Sequence, residues 1–351
     1  MRLLIFTQKI DKNDSVLGFF HTWTEEFAKK AEEVIVICLY KGEVNLPKNT
    51  TVYSLGKSQY QSKARYGAGK IFLRVKYIIN FYRYLFLIRG SYDKVFVHMN
   101  QEYILLAGLY WKIKNIPVYM WRNHPVGGLF TRLTVLLSTK VFCTSGSSFV
   151  AQFKKAVIMP VGNDTTLFRP VEGVMRKKHS VCMLGRIAPI KHIELALEAI
   201  NHLVLSGAQI SLTIIGSPTE KDVEYYNSLK RYITQNKLSY YIFLLGEVSF
   251  NEHPRIFSGY EINLNLTDSG SFDKTILGGT SCGAIPLVAN ESLRGMLPNV
   301  CITEAKPKTI ADSLIKLLDP HVQVEIQKDL EVFVKSQSLN TLMEKLFVEI
   351  K

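Results

Sequence analysis

Short apolar runs alternate with amphipathic stretches along the whole chain, in two successive blocks, and this limits the possible folds more than any other feature. In the first block strand-like runs fall near 2–7, 34–40, 94–98, 117–121, 140–143 and 156–159, with helical spacing near 18–31, 65–88, 101–113 and 128–138. In the second, strands fall near 180–184, 211–215, 241–245, 262–266, 285–288 and 300–302, and helices near 191–206, 220–236, 273–282 and 307–318. Parallel neighbours need a helix-length crossover, so this alternation builds parallel sheets with helices on both faces. The polar stretch VEGVMRKKHS (171–180) separates the blocks. We therefore expect an α/β protein with two doubly wound, Rossmann-like domains, 1–170 and 171–336, and a C-terminal helix near 337–351 packing back on the first. The length of 351 residues suits two cores better than one. Ligands of such sheets bind beyond the carboxyl ends of the strands, so the cleft between facing domains is the expected active site.

Charge is distributed unevenly. Residues 1–170 carry 24 Lys and Arg against 10 Asp and Glu, while residues 171–351 carry 19 against 20. Nine of those cations lie between Glu43 and Asp93, where no acid occurs. Such a field points to an anionic partner of the first half. The stretch KARYGAGKIFLRVKYIINFYRYLFLIRG (63–90) mixes Lys70, Arg74, Lys76, Arg83 and Arg89 with aromatic and aliphatic residues. Its composition suits a helix lying on an anionic membrane surface and, before charge is counted, equally a domain helix with one face on its own sheet; the absence of acids over 44–92 favours the membrane. Nucleic acid is not the expected partner, because no reading motif occurs and the aromatics follow helical spacing.

The five cysteines have neither metal nor disulfide spacing, and four lie in or beside apolar runs, so we expect buried free thiols in a reducing compartment. MRLLIFTQ reads as a strand and a polar loop, too short for a signal peptide, and no run of eighteen apolar residues occurs. A cytoplasmic protein, peripheral on the inner face of the cell membrane, is the expectation.

One stretch raises a chemical question. In VCMLGRIAPIKHIELALEAI (181–200), an apolar strand ends at Gly185, Arg186 follows at once, and Lys191 stands at the start of an amphipathic helix. Cations at a helix N-terminus are disfavoured by the helix dipole, so an anion is needed to offset them, and phosphate is the usual one. Two solvated cations are the plain alternative. A second anion-facing turn precedes the helix at 273–282: Ser269, Gly270 and Ser271, then Phe272, Asp273, Lys274 and Thr275, with exposed N–H groups and one ammonium.

The ordered series MPVGNDTTLFRP (159–170), LGRIAPIKHIELALEAI (184–200), LTIIGSP (212–218), IFLLGEVS (242–249) and SGSFDKTILGGTSCGAIPLV (269–288) resembles the C-terminal half of glycosyltransferase family 4. IFTQKIDKNDSVLGFFHTWTEEFAKKAEEVIVICLY (5–40) resembles that family's opening. Its members are retaining enzymes of the GT-B fold that use nucleoside-diphosphate sugars. The resemblance implies that Arg186 and Lys191 grip the donor's diphosphate and neutralise it as the glycosidic bond breaks. It places Gly246, Glu247 and Val248 along the nucleobase and Gly18 against the sugar and diphosphate. It gives His124 a role at the reaction centre and makes His98 a sugar contact or a structural histidine. Glu102 becomes a candidate for an acceptor hydroxyl. No metal or other cofactor is expected, since neither an Asp-x-Asp pair nor a His cluster occurs.

The sequence also departs from that family. The family's paired glutamates fall on Gly270 and Gly278, so both carboxylates are absent. Asp268 and Asp273 are near enough to substitute for the first, and Asp273 is equally placed to stabilise a helix N-terminus. Two readings follow. One is a transferase acting on a lipid-linked or saccharide acceptor in surface polysaccharide or glycolipid synthesis. The other is a weakly active or inactive relative that binds nucleotide sugars or serves as a scaffold.

Overall fold

A computed structural model describes residues 1–14, 16–58, 68–269 and 272–351. The chain divides into two compact units, Met1–Met159 with Met343–Lys351, and Pro160–Leu342.

The first unit is built on seven parallel strands: β1 (Arg2–Ile10), β2 (Glu33–Lys41), β3 (Thr50–Ser54), β4 (Lys94–His98), β5 (Val118–Trp121), β6 (Lys140–Cys143) and β7 (Ala156–Ile158). Their order is β3-β2-β1-β4-β5-β6-β7. Helix α1 (Phe19–Lys30) connects β1 to β2, and α2 (Ala68–Leu87), α3 (Glu102–Ile113) and α4 (Leu129–Leu137) connect the later strands. Right-handed crossovers put α2, α3 and α4 in one layer, where Phe81, Leu85, Ile104, Ala107, Trp111 and Val135 pack on Phe6, Ile37, Val95 and Val97. Residues 63–67 of the expected basic helix lie outside the described residues.

The second unit has five parallel strands: β8 (Ser180–Leu184), β9 (Ser211–Ile215), β10 (Ile242–Gly246), β11 (Ile262–Asn265) and β12 (Ile285–Val288), in the order β10-β9-β8-β11-β12. Helices α5 (Ile193–Leu205), α6 (Val223–Gln235), α7 (His253–Ser258), α8 (Lys274–Ser281), α9 (Pro307–Leu317), α10 (Pro320–Ser336) and α11 (Leu339–Glu349) complete the chain. The apolar stripe of α5 (Ile193, Ala196, Leu197, Ile200, Leu203) lies in the core of this unit with Leu212, Ile214, Leu264 and Leu314. Beyond Leu342, α11 belongs to the first unit: Lys140 Nζ bonds Glu349 Oε2 at 2.8 Å, and Phe27 and Phe347 have ring centroids 6.0 Å apart.

The α/β class with two doubly wound sheets is as expected, with local differences. Residues 300–302 are not a strand: after Pro298, Asn299–Cys301 make a single 3-10 turn, and only Ile302 bridges to Val288. Conversely Thr50–Ser54 is a strand the apolar pattern did not show, because as a half-exposed edge it has no fully buried side. Lys191 does not open a helix. Pro189–Lys191 form a 3-10 turn, and His192, at φ 48°, caps α5 from the left-handed region.

All five cysteines are buried free thiols. Burial raises every one, Cys38, Cys282 and Cys301 to about 12. Among the described residues no helix is long and apolar enough to cross a membrane.

Candidate active site

Strand order locates the candidate site within the second unit. From β8 the chain runs outward through β9 and β10, then returns to the other side of β8 for β11 and β12. The order therefore reverses between β8 and β11, and a crevice opens beyond the carboxyl ends of that pair. At this point Gly185, Arg186, Lys191, Asn265 and Leu266, among others, border a void of about 10 Å³, room for a single water. Arg186 and Lys191, which the sequence singles out, thus lie beside the same void.

Nearby, three strand-end loops are pinned together. Gly185 N bonds Ile215 O at 2.9 Å, Gly216 N bonds Gly246 O at 2.7 Å, and Ile187 N bonds Ser217 O at 3.1 Å. Gly185 and Gly216 have φ of 142° and 144°, open to glycine and strained for other residues. A Cβ on Gly216 would stand 1.9 Å from Gly185 O. The loops approach this closely because Gly216 carries no side chain.

The anion that offsets the Lys191 charge belongs to the protein. Lys191 Nζ forms an ion pair with Asp273 and donates to Thr267 Oγ1 at 3.1 Å. Asp273 caps α8: its Oδ1 accepts from Thr275 N at 3.0 Å and Thr275 Oγ1 at 2.9 Å, and its Oδ2 from Asn265 Nδ2 at 3.0 Å. Burial pushes the Asp273 carboxyl up, but the Lys191 charge and these hydrogen bonds outweigh it, so its pKa lies below the ordinary value. The side chains of Lys191 and Asp273 are only 22% and 15% exposed. Of the two expectations for Asp273 the helix cap is what the structure shows, with the carboxylate engaged by Lys191, Thr275 and Asn265.

Arg186 differs. It is exposed, and among the described residues it makes no ion pair. Lys274, the first residue of α8, has an amine held well below the ordinary lysine range by burial.

Other expected donor contacts lie around this edge. Gly246, at φ 85°, has nothing within 4 Å of where a Cβ would stand, and Glu247 after it is exposed with Val248 half-buried. Ser269 Oγ accepts from Glu291 N at 3.0 Å. Phe272 stacks on Phe333 with centroids 6.0 Å apart, so its ring packs on the unit's core. Gly270 and Ser271 lie outside the described residues. Gly278 is buried, and a Cβ there would stand 3.0 Å from the Phe168 ring and 3.3 Å from Phe257. Aromatic packing thus takes the room that a side chain at 278 would need.

Sequence reasoning missed Asn263, Asn265 and Thr267, which position this apparatus. Asn263 Nδ2 bonds Thr275 O at 2.9 Å, and a Cβ on Gly279 would stand 2.5 Å from that same nitrogen. The signal was available. In INLNLT two asparagines alternate with leucines on a buried strand, where a polar side chain must find a partner.

In the first unit the expected residues lie at carboxyl ends of strands or starts of helices. Gly18 precedes α1 with φ −54°, and its N–H bonds Asp14 O at 3.0 Å. His98, 4% exposed, stacks on Phe20 at 4.1 Å between centroids, with Phe19 and Trp23 edge-on and Thr7 Oγ1 3.3 Å from Nδ1. It is buried among these aromatic rings. His124 is exposed, with Nδ1 held 3.0 Å from Val126 N. Glu102 is exposed at the first turn of α3, where the helix dipole favours a carboxylate. Arg122, which the sequence reading passed over, donates from Nη2 to Val126 O at 3.1 Å while its Nε is buried without a hydrogen-bond partner. Burial lowers its pKa and the nearby Glu102 charge raises it. Among the described residues no group of His, Cys, Asp or Glu is arranged to hold a metal ion.

No family model and no curated protein matches the sequence. Solved structures do match in fold. HepE of Anabaena, in complex with UDP and glucose, aligns over 100% of this chain and 99% of its own, with a TM-score of 0.75 and 13% identity. Sucrose-phosphate synthase from Thermosynechococcus elongatus aligns over 99% and 97%, with a TM-score of 0.75 and 12% identity. WaaG, a glycosyltransferase involved in lipopolysaccharide biosynthesis, aligns over 98% of each chain, with a TM-score of 0.67 and 12% identity. Two doubly wound parallel sheets and these end-to-end alignments identify the chain as a GT-B fold.

Proposed function

We propose that this chain is a retaining glycosyltransferase. It moves a sugar from a nucleoside-diphosphate donor to a hydroxyl of a lipid-linked or saccharide acceptor, in surface polysaccharide or glycolipid assembly at the inner face of the membrane. The observation that carries the reading is that Arg186 and Lys191 both lie at the carboxyl end of β8, at the β8/β11 reversal point. Fixed positive charge there stabilises the diphosphate that leaves as the anomeric bond breaks. In this reading Arg186 binds the phosphates directly. Lys191 shifts from Asp273 towards them, and the first N–H groups of α8 add their dipole. Side-chain cations do the work that a divalent metal does in other transferases. The acceptor oxygen bonds to the anomeric carbon on the face the diphosphate leaves, and its proton passes to the departing phosphate oxygen. His124 and Glu102 are assigned to the acceptor and reaction centre. The solved HepE complexes contain UDP and UDP-glucose, which supports a uridine donor as the first to try.

The test is release of free nucleotide from UDP- and GDP-sugars. Slow release by the intact protein, abolished in Arg186→Ala, is expected. Release that survives Arg186→Ala unchanged would remove the assignment. The packing around Gly278 favours the second reading, a nucleotide-sugar-binding relative without turnover. Under that reading nucleotide sugars bind and none is consumed.

A further inference from the structure

The first unit carries an apolar surface wider than its basic helix. Phe72, Val75, Ile79, Tyr82 and Phe86 recur at alternating steps of three and four along α2, all exposed. This is core spacing turned to solvent. Leu109, Tyr110 and Ile113 continue it on α3, and Leu129, Phe130, Leu133 and Leu136 on α4. Phe72, Ile113 and Leu129 are 69%, 70% and 79% exposed, too open for residues serving the unit's own core. The three helices lie side by side: Tyr82 Oη donates to Leu106 O at 2.9 Å, and a Cβ on Gly108 of α3 would stand 3.1 Å from Leu137 of α4. Exposed apolar residues of one layer, on three adjacent helices, mark an interaction site.

Charge selects the occupant. Exposed Arg74, Lys76 and Arg83 flank the stripe on α2 with Arg89 just beyond its end, Lys112 and Lys114 stand at the end of α3, and Arg132 lies on α4. Neither α2 nor α4 contains an acid, and α3 has only Glu102, at its first position. A second copy of this face would set cations against cations. An anionic bilayer satisfies both features, taking the aromatic and aliphatic side chains among its acyl chains and the cations at its headgroups. We infer that α2, α3 and α4 together form a lipid-docking face that lies in the surface of an anionic membrane. The face belongs to the first unit alone and requires nothing of the donor reading.

The experiment is co-sedimentation of the full chain with phosphatidylcholine vesicles, with and without phosphatidylglycerol, in the absence of any sugar nucleotide. Binding to the anionic vesicles, weakened by salt, is expected. Ile113→Asp on α3 and Phe130→Asp on α4 should each weaken it by about tenfold or more, and Arg83→Ala by about fivefold. Leu129→Asp repeats the α4 test should Phe130→Asp fail to melt like the parent protein. Absence of binding to both vesicle types overturns the inference. So does binding that the α3 and α4 variants leave unchanged, which would confine the contact to α2. Light scattering that finds a dimer broken by Ile113→Asp also overturns it, because the face would then belong to a second copy.

Discussion

Replacing Lys191 by Met removes the cation from a mostly buried carboxylate and keeps the length of the side chain. Stripping one partner from a buried ion pair costs about 3–5 kcal/mol where the survivor is left without compensation. Asp273 is not left so. Thr275 N, Thr275 Oγ1 and Asn265 Nδ2 still donate to it, and it is 15% exposed. We therefore expect a loss nearer about 2 kcal/mol, since each remaining charge-assisted bond already satisfies part of the carboxylate. Asp273→Asn should cost less, about 1 kcal/mol, because asparagine is itself a good helix cap and Lys191 keeps Thr267. In the double variant the losses should fall short of their sum by about 1–2 kcal/mol, the coupling of a contacting pair. For a unit of this size the Lys191→Met loss lowers the melting temperature by about 4–8 °C. Thermal melts by circular dichroism measure it. All three tryptophans, Trp23, Trp111 and Trp121, lie in the first unit, so their emission reports whether the loss is confined to the second. Strict additivity in the double variant would refute the reasoning.

Three further outcomes follow from the same geometry. Gly278→Glu, which rewrites the missing carboxylate, should destabilise the second unit by about 1–3 kcal/mol through overpacking against Phe168 and Phe257, and should not raise nucleotide release; a gain in release with unchanged melting would contradict it. The Asp273 carboxyl lies below its ordinary value, so its stabilisation is fully present above about pH 4, the unfolded carboxylate value. It is lost as pH falls through the lower folded value, and acid melts of Asp273→Asn should be less steep there than those of the parent protein. All five thiols are buried and raised, so a thiol reagent at neutral pH should label none in the native protein and five after denaturation. Rapid native labelling would show the packing to be wrong.

The sheets were legible because fully buried strands leave unbroken apolar runs, as at Val181–Leu184 and Ile285–Val288. Thr50–Ser54 was not, since an edge strand needs only half that pattern. Arg186 and Lys191 were legible as cations in a strand-to-helix connection. Their difference was not: one faces outward while the other is neutralised by a residue 82 positions away. That pairing depends on β11 and β8 being neighbours, a fact of topology that no local window contains. The outer faces of α3 and α4 were missed for a related reason. Periodicity alone cannot tell an apolar stripe that faces a sheet from one that faces solvent.

Titration of UDP into the protein and into Arg186→Ala, followed by calorimetry at low and moderate salt, tests the central claim most directly. Arg186 makes no ion pair among the described residues, so its removal should leave the fold intact and change binding alone. Loss of a charge-assisted contact to phosphate predicts an affinity about tenfold to a hundredfold weaker, with a shallower salt dependence. Equal affinity for the two proteins would contradict the account.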